Sequence, residues 1–174
     1  PQNGLLACGD TGAGKMPEPD FLFDVIEREI AREKDMLGKK VLVTAGATME
    51  SLDPVRFLTN HSSGKMGFAI AKEAMLRGAE VTVVKANTTA EIPNFVKIVE
   101  VSSAKDMFDA VTALSDQQDI IVKAAAVADY TPESYVDSKI KKKDGDLSIP
   151  LKRTMDILKY LGENKKEGQF LCGF

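Results

Sequence analysis

The sequence predicts an α/β fold: a three-layer, doubly wound, mostly parallel sheet of the Rossmann-like kind, with helices on both faces. Two observations carry this prediction. Short β-branched runs, such as 41–44, 81–84 and 119–122, alternate with segments of helical periodicity. Strands that alternate with crossover helices form a parallel sheet that is covered on both faces. The length of 174 residues suits about one such domain with an appendage.

The first part of the chain differs from the rest. Residues 1–20 are dense in glycine and proline, so we predict neither a strand nor a helix there. A helix with a charged outer face is predicted over 21–36, and Gly38 is its expected stop. These segments make up the first predicted unit, residues 1–37, which precedes the main domain at 38–174.

The main domain is predicted element by element from the same periodicities. Strands are expected at 41–44, 81–84, 96–101, 119–122 and 170–173, with a weaker extended run at 147–151. Helices are expected at 65–77, 103–114 and 156–162, and a long loop at 47–63. The last strand meets the chain end without a covering helix, so we expect a domain that is cut short at its C-terminus.

Composition and charge exclude several classes of protein. The net charge of −3 offers no field that would attract nucleic acid or an anionic membrane. No apolar run approaches the roughly 18 residues that a membrane span needs. Cys8 and Cys172 lie near opposite ends of the chain, without zinc-ligand spacing. We therefore expect no nucleic-acid partner, no membrane segment and a reducing, cytoplasmic location.

One glycine-rich segment matches a phosphate-binding motif without its context. Residues 9–15 fit G-x-x-x-x-G-K, but Met16 stands where a magnesium-binding hydroxyl belongs, and Pro17 follows. A P-loop also needs a strand before it and a helix directly after it. A flexible tail is favoured over a P-loop here.

A second glycine-rich segment, residues 59–67, leads directly into a predicted helix. Ser62 and Ser63 stand at the expected N-cap, Gly64 permits close backbone approach, and Lys65 adds positive charge. The segment is either a cradle for phosphate or carboxylate, or simple capping. His61 could be a base, although a lone loop histidine more often makes structural hydrogen bonds.

Two further segments have the composition of a nucleotide site. Small residues at 124–126 would let a flat ring lie against backbone amides, and Asp129 could bind a hydroxyl or magnesium. Tight helix packing on alanine is the alternative. Residues 139–143 hold four lysines in five positions, which suits a polyphosphate or an oxyanion, although such runs are usually solvated. These residues alone indicate a nucleotide- or phosphate-handling domain.

Taken in order, these segments resemble a known family. The sequences at 43–48, 52–57, 60–67, 125–130 and 139–142 closely resemble the phosphopantothenate–cysteine ligase domain of bifunctional coenzyme A biosynthesis proteins. Residues 7–18 resemble the end of their flavin-dependent decarboxylase domain. The resemblance implies CTP-dependent joining of 4'-phosphopantothenate to L-cysteine through an acyl-cytidylate. It also implies a homodimer formed through the ligase domain.

The resemblance further implies a role for each matching residue. Lys139 would serve acyl-cytidylate formation and Asn60 the cysteine step. The nucleotide and its phosphates would be bound by Ser62, Gly64, Lys65, Ala125, Ala126, Asp129, Lys142, Asp156 and Phe174. Asp129 is also the candidate ligand for Mg²⁺. Met155 stands where the family usually has proline.

Cys8 resembles the catalytic cysteine of the decarboxylase, whose FMN-binding fold is missing from this chain, so decarboxylation is expected only of a longer parent protein.

Two other functional hypotheses compete with the ligase. One is a nicotinamide-dependent reductase, although the turn at 45–48 lacks G-x-G-x-x-G. The other is an inactive fragment that binds a nucleotide or dimerises.

Overall fold

The computed structural model describes residues 2–141 and 145–174. Its strands are β1 (Gln2–Leu5), β2 (Thr11–Lys15), β3 (Lys40–Ala45), β4 (Met49–Ser51), β5 (Phe57–Thr59), β6 (Glu80–Lys85), β7 (Lys97–Glu100), β8 (Ile120–Lys123), β9 (Tyr130–Pro132), β10 (Leu151–Arg153) and β11 (Phe170–Gly173). Its helices are α1 (Pro19–Ile30), α2 (Lys65–Leu76), α3 (Ala104–Ser115) and α4 (Ile157–Asn164).

A five-stranded sheet forms the centre of the fold, in the order β11-β8-β3-β6-β7. Every pairing in it is parallel, with Val41 opposite both Val81 and Ile120. The central strand β3 is buried along nearly its whole length because both faces of the sheet are covered. The predicted parallel α/β fold is therefore confirmed, and its five strands lie within about two residues of the predicted positions.

The sheet separates two hydrophobic cores. Val41 and Val43 of β3 pack with Phe68 and Met75 of α2 on one face. On the other face, Leu42 packs with the buried side chains of α3 and α4, among them Met107, Val111 and Ile157. Successive residues of β3 thus serve opposite cores, as the alternation of a strand requires.

The start of α3 follows the sequence prediction closely. Ser103 Oγ accepts from the Asp106 N–H, and the Asp106 carboxylate accepts from the Ser103 N–H at 2.9 Å, which completes a capping box. The carboxylate also accepts from the Ser103 hydroxyl at 2.8 Å, and the bonds that the Ser103 backbone and side chain donate to it hold the pKa of Asp106 below its ordinary value. The helix therefore begins at the residue after Ser103.

The expectation of no regular structure in residues 1–20 is wrong. β1 and β2 pair in an antiparallel hairpin, which Gly9 turns with a φ of 88°. Gly14 lies opposite the register shift between Gln2 and Asn3, where a bulge needs an extra residue. The glycines thus serve the turn and the bulge of a hairpin, and residues 11–15 form a strand instead of a phosphate loop.

Three other elements differ from their predicted bounds. α1 ends at Ile30, well before Met36, because Lys34 folds back and its ammonium binds the Arg28 carbonyl and, at 2.7 Å, the Leu76 carbonyl. The predicted loop at 47–63 contains the short hairpin β4–β5. The extended run expected at 147–151 is wrong except at its last residue, because β10 covers Leu151–Arg153, where it pairs with β9.

Two helical glycines allow a matched test of packing at the sheet. A Cβ at Gly67 of α2 would lie 2.7 Å from Ala45 Cβ and 2.9 Å from the Thr44 carbonyl, whereas one at Gly162 of α4 would meet nothing within 4 Å. We expect Gly67→Ala to cost about 1–3 kcal/mol of unfolding free energy through overpacking. Gly162→Ala should instead stabilise by about 0.5–1 kcal/mol, because alanine is the better helix former. Denaturant unfolding measures both, and equal shifts would contradict this packing.

Candidate functional site

The carboxyl ends of β3 and β8 meet at the point where the strand order reverses. From β3 the chain crosses one face through α2 to reach β6, and it returns across the other face through α3 to β8. In doubly wound sheets, ligands bind in the crevice at this point. The candidate site is therefore built from the segments that follow β3 and β8.

The segment after β3 lies between those after β6 and β8. The Ala47 N–H donates to the Asn87 carbonyl at 2.8 Å, and the Ala126 N–H donates to the Gly46 carbonyl at 2.8 Å. The Thr48 N–H then donates to the Ala126 carbonyl at 3.2 Å. These bonds extend the sheet by two residues and fix the floor of the crevice.

Two buried threonines hold the alanine segment after β8. Thr44 Oγ1 accepts from the N–H groups of Ala124 and Ala125, both at 3.1 Å, and Thr48 Oγ1 accepts from the Ala128 N–H at 3.0 Å. Both threonine side chains lie in the core. The sequence predicts that a ring would lie against these amides, but the amides bind protein groups. A ligand would instead meet the small side chains.

A cavity of about 460 Å³, which we call the switch-point cavity, opens where β8 ends and α4 begins. Asp129 and Asp156, both predicted, lie in its wall together with Lys123 of β8 and Arg153 of β10. The remaining lining residues are Val127, Ala128, Tyr130, Thr154, Met155, Ile157 and Leu158. Two carboxylates and two cations therefore face one nucleotide-sized space.

The turn before α4 is tied to the segment after β8. Thr154 Oγ1 donates to the Ala128 carbonyl at 2.6 Å, and the Thr154 N–H donates to the Asp129 carbonyl at 2.9 Å. Asp156 is the N-cap of α4, where its Oδ1 accepts from the Lys159 N–H at 2.9 Å. One carboxylate oxygen of Asp156 thus serves the helix.

Asn60 lies beside this cavity. It follows β5, which Thr59 attaches to the crevice floor through a 2.8 Å bond from its hydroxyl to the Thr48 carbonyl. The Asn60 Nδ2 donates to the carbonyl of Val127, a lining residue of the switch-point cavity, at 3.4 Å. The side chain is exposed, so this amide is open to a ligand.

The segment before α2, which the sequence predicts as either an anion cradle or a simple cap, has a different N-cap from the one expected. Gly64, with a φ of 78°, is the N-cap, whereas Ser62 and Ser63 make only long bonds of 3.4 Å to the N–H groups of Gly64 and Lys65. A Cβ at Gly64 would lie 2.5 Å from Thr88 Oγ1 and 3.2 Å from the Gly46 N–H nitrogen. Glycine therefore lets α2 begin directly against the crevice floor, where its dipole favours anions.

Lys65 does not line the switch-point cavity. It lines a second cavity of about 470 Å³, the α1–α2 cavity, together with Asp24 and Glu27 of α1 and the loop at 89–95. α1 is attached to α2 here, since Lys72 pairs with Glu27 at 2.9 Å. Lys65 thus lines a different cavity from Asp129 and Asp156.

The remaining predicted residues are scattered. Lys139 is exposed, and its neighbour Ile140 is hydrogen-bonded to the loop between β4 and β5. Lys142 lies outside the described residues. Phe174 is exposed at the edge of the sheet, where its N–H donates to the Lys123 carbonyl at 3.1 Å. Cys8 and His61 are also exposed, with Cys8 in the turn of the β1–β2 hairpin.

Sequence reasoning missed Lys123, Arg153, Thr44 and Thr48 as parts of the site. A charged residue at the carboxyl end of an apolar strand was the available signal for Lys123. Arg153 had no comparable signal, because the predicted strand at 147–151 ended two residues before the arginine.

Within the described parts of the chain, no helix is long and apolar enough to cross a membrane.

Comparison with known proteins assigns the family. A model for the DNA/pantothenate metabolism flavoprotein C-terminal domain matches residues 36–174. The coenzyme A biosynthesis bifunctional protein CoaBC of Bacillus subtilis (strain 168) is 46% identical over 177 residues, which cover 100% of this chain and 43% of that protein. A cysteine/cysteine sulfinic acid decarboxylase from an unknown prokaryotic organism is 41% identical over 179 residues, which cover 100% of this chain and 50% of that protein.

A solved structure supports the same assignment. The crystal structure of the C-terminal domain of a coenzyme A biosynthesis bifunctional protein CoaBC has a TM-score of 0.67 and 46% identity. The match covers 79% of this chain and 63% of that chain. The chain spans about half the length of the curated relatives that it matches. The chain belongs to the family of DNA/pantothenate metabolism flavoprotein C-terminal domains.

Proposed function

We propose that this chain is a ligase domain of coenzyme A biosynthesis, which joins 4'-phosphopantothenate to L-cysteine with CTP through an acyl-cytidylate. The observation that carries the proposal is the bond from Asn60 to the wall of the switch-point cavity. It brings the residue proposed for the amide-forming step to the space proposed for the nucleotide. The name of the Bacillus subtilis relative supports the pathway.

In the first half-reaction, the carboxylate of 4'-phosphopantothenate attacks the α-phosphate of CTP, and pyrophosphate leaves. This step brings two anions together, so fixed cations at the site give the largest benefit. Lys123 and Arg153 line the cavity and would offset the charge of the nucleotide. Lys139 would stabilise the charge that develops on the α-phosphate.

In the second half-reaction, the cysteine amine attacks the acyl carbon, and CMP leaves with its phosphate. The Asn60 amide has two N–H donors, of which one binds the Val127 carbonyl. The other would donate to the oxyanion that forms on the acyl carbon. A neutral donor suits this position because it also tolerates the nearby phosphate.

The carboxylates of the site fit a magnesium ion that arrives with the triphosphate. Among the described residues no group of three or more His, Cys, Asp or Glu side chains could hold a metal. Mg²⁺ in nucleotide sites is typically bound by one or two carboxylates and by the phosphates. Asp129, with Asp156 beside it, would supply these ligands, and the ion would neutralise phosphate charge.

We also propose the division into residues 1–37, a decarboxylase tail with its linker helix, and residues 38–174, the ligase domain. FMN-dependent decarboxylation is then a property of a longer parent protein. A homodimer through the ligase domain is supported by exposed large apolar side chains near β5, β9 and β10: Val55, Phe57, Tyr130, Tyr135 and Leu151.

The reductase alternative is disfavoured because α2 starts at Lys65 rather than directly after β3, so no dinucleotide turn forms there.

The test follows the two half-reactions in the full-length protein that carries this chain. With CTP, Mg²⁺ and 4'-phosphopantothenate we expect pyrophosphate, and adding L-cysteine should give CMP and phosphopantothenoylcysteine in equal amounts. Omitting 4'-phosphopantothenate is the control for simple CTP hydrolysis. Because one relative is named a cysteine decarboxylase, the amide product itself must be measured. Failure to release pyrophosphate from any nucleoside triphosphate would overturn the proposal.

A further inference from the structure

Asp53 is a buried carboxylate in the loop between β4 and β5. Its side chain is fully shielded from solvent. The Oδ1 atom accepts from the N–H groups of Val55 and Arg56, both at 2.8 Å, which closes the local turn. The second oxygen is not needed for that turn and binds two other partners.

The second oxygen joins the turn to a segment far away in sequence. Asp53 Oδ2 accepts from Arg56 Nε at 3.0 Å, from Arg56 Nη2 at 2.5 Å and from the Ile140 N–H at 3.1 Å. Arg56 Nη2 in turn donates to the Ile140 carbonyl at 2.9 Å. One ion pair therefore binds both main-chain polar groups of a single residue.

Ile140 belongs to a segment whose hydrogen bonds to the rest of the described structure are made with this loop. We call residues 134–141 the lysine segment, because Lys139 and Lys141 flank Ile140. Every hydrogen bond that the lysine segment makes to other described residues goes to the loop at 52–56, including one from the Val136 N–H to the Leu52 carbonyl at 3.1 Å. The segment has no helix or strand of its own.

The ion pair is charged throughout the usual pH range. Burial alone would raise the pKa of Asp53, but the hydrogen bonds from Arg56, Ile140 and Val55 lower the pKa far below its ordinary value. The carboxylate thus stays ionised at any pH where the protein would be assayed.

We propose that Asp53 is a positioning residue, which with Arg56 fixes the backbone at Ile140 and thereby places Lys139 for transfer of the cytidylyl group of CTP to the substrate carboxylate. This inference rests on the proposed function. The same loop continues through β5 to Asn60, and the four peptide units from Arg56 to Asn60 span at most about 14 Å. One short loop thus supports both residues that the proposal makes catalytic.

The principal variants remove either end of this contact. Asp53→Asn removes the charge and the acceptor for Ile140, and Ile140→Pro removes the N–H donor while leaving Asp53 intact. Ile140→Ala keeps the donor and is the matched control for the second variant. Asp35→Asn is the control for the first, because Asp35, in the segment after α1, makes an exposed ion pair with Arg77 at the C-cap of α2.

Two measurements on the full-length protein decide the matter. Hydrogen–deuterium exchange should speed up in peptides covering 134–141 for Asp53→Asn and Ile140→Pro, but not for the two controls. The kcat for pyrophosphate release should fall by about 10²-fold in the same two variants, since small misplacements of a catalytic group cost that much. The KM for CTP should change by less than about threefold, because positioning acts on the chemical step.

The outcomes separate this inference from the proposed function. Unchanged exchange in both principal variants would overturn the backbone contact, whether or not the protein is a ligase. Faster exchange with unchanged kcat would overturn the positioning of Lys139. If the wild-type protein releases no pyrophosphate, the proposed function fails and the role in cytidylyl transfer fails with it, while the exchange rates still test the contact between Asp53 and Ile140. If the Asp53→Asn variant does not fold, the comparison of Ile140→Pro with Ile140→Ala in exchange and in kcat still tests the proposal.

Discussion

Replacing Lys139 by glutamine is expected to lower the rate of pyrophosphate release by about 10²- to 10³-fold, the usual loss when one preorganised charge or donor is removed. The side chain is exposed, so the substitution removes the ammonium without opening the core. Its backbone position is held through Ile140 by Asp53 and Arg56. The loss should therefore appear in the single-turnover rate constant for pyrophosphate release from CTP. The unfolding midpoint should stay at the wild-type value.

A matched lysine distinguishes this effect from a change in overall charge. Lys97→Gln makes the same substitution at an exposed position at the start of β7, which lies at the opposite end of the strands from the site. We expect wild-type rates of pyrophosphate release from it. Similar losses in both variants would contradict a specific role for Lys139.

Replacing Asn60 by aspartate should separate the two half-reactions. The amide donor near the acyl carbon is lost and a negative charge takes its place, which opposes an oxyanion there. Formation of the amide should fall by about 10²- to 10³-fold. Activation does not use this donor, so about one equivalent of pyrophosphate per site should still be released in a burst, with acyl-cytidylate accumulating on the protein.

Quenched-flow sampling with mass spectrometry measures both species. Asn164→Asp is the control, since it makes the same change at the exposed C-terminal end of α4, away from the switch-point cavity. It should behave as wild type in both steps. Equal loss of pyrophosphate release and amide formation in the Asn60 variant would contradict the division of roles between Asn60 and Lys139.

Much of the sheet could be predicted because local sequence specifies it. Runs such as Val81–Val84 are apolar on both faces, and Ser103 with Asp106 carries a capping signal that needs no tertiary contact. The hairpins β1–β2 and β4–β5 escaped prediction. In the β1–β2 hairpin, the low strand propensity of glycine argued against a strand, but the turn and the bulge of this hairpin require glycine.

The site was predicted only where a residue type or a resemblance marked it. Asp129 and Asp156 do meet in one cavity, whereas Lys65 lies on the α1 side of α2. The contact between Asp53 and Ile140 joins positions 87 residues apart, and its donor is a backbone N–H. No pattern of side chains in the sequence could therefore predict it. Thr44 and Thr48 were hidden for a related reason, because their partners are also main-chain amides.

The transfer of a carboxylate oxygen tests the central claim most directly. If 4'-phosphopantothenate is labelled with ¹⁸O in its carboxylate and is allowed to react with CTP and L-cysteine, attack on the α-phosphate and cleavage by the amine must leave one labelled oxygen in CMP. Mass spectrometry of the nucleotide product should therefore show singly labelled CMP, in an amount equal to the amide formed. Unlabelled CMP, or label in inorganic phosphate with CDP as the product, would contradict an acyl-cytidylate.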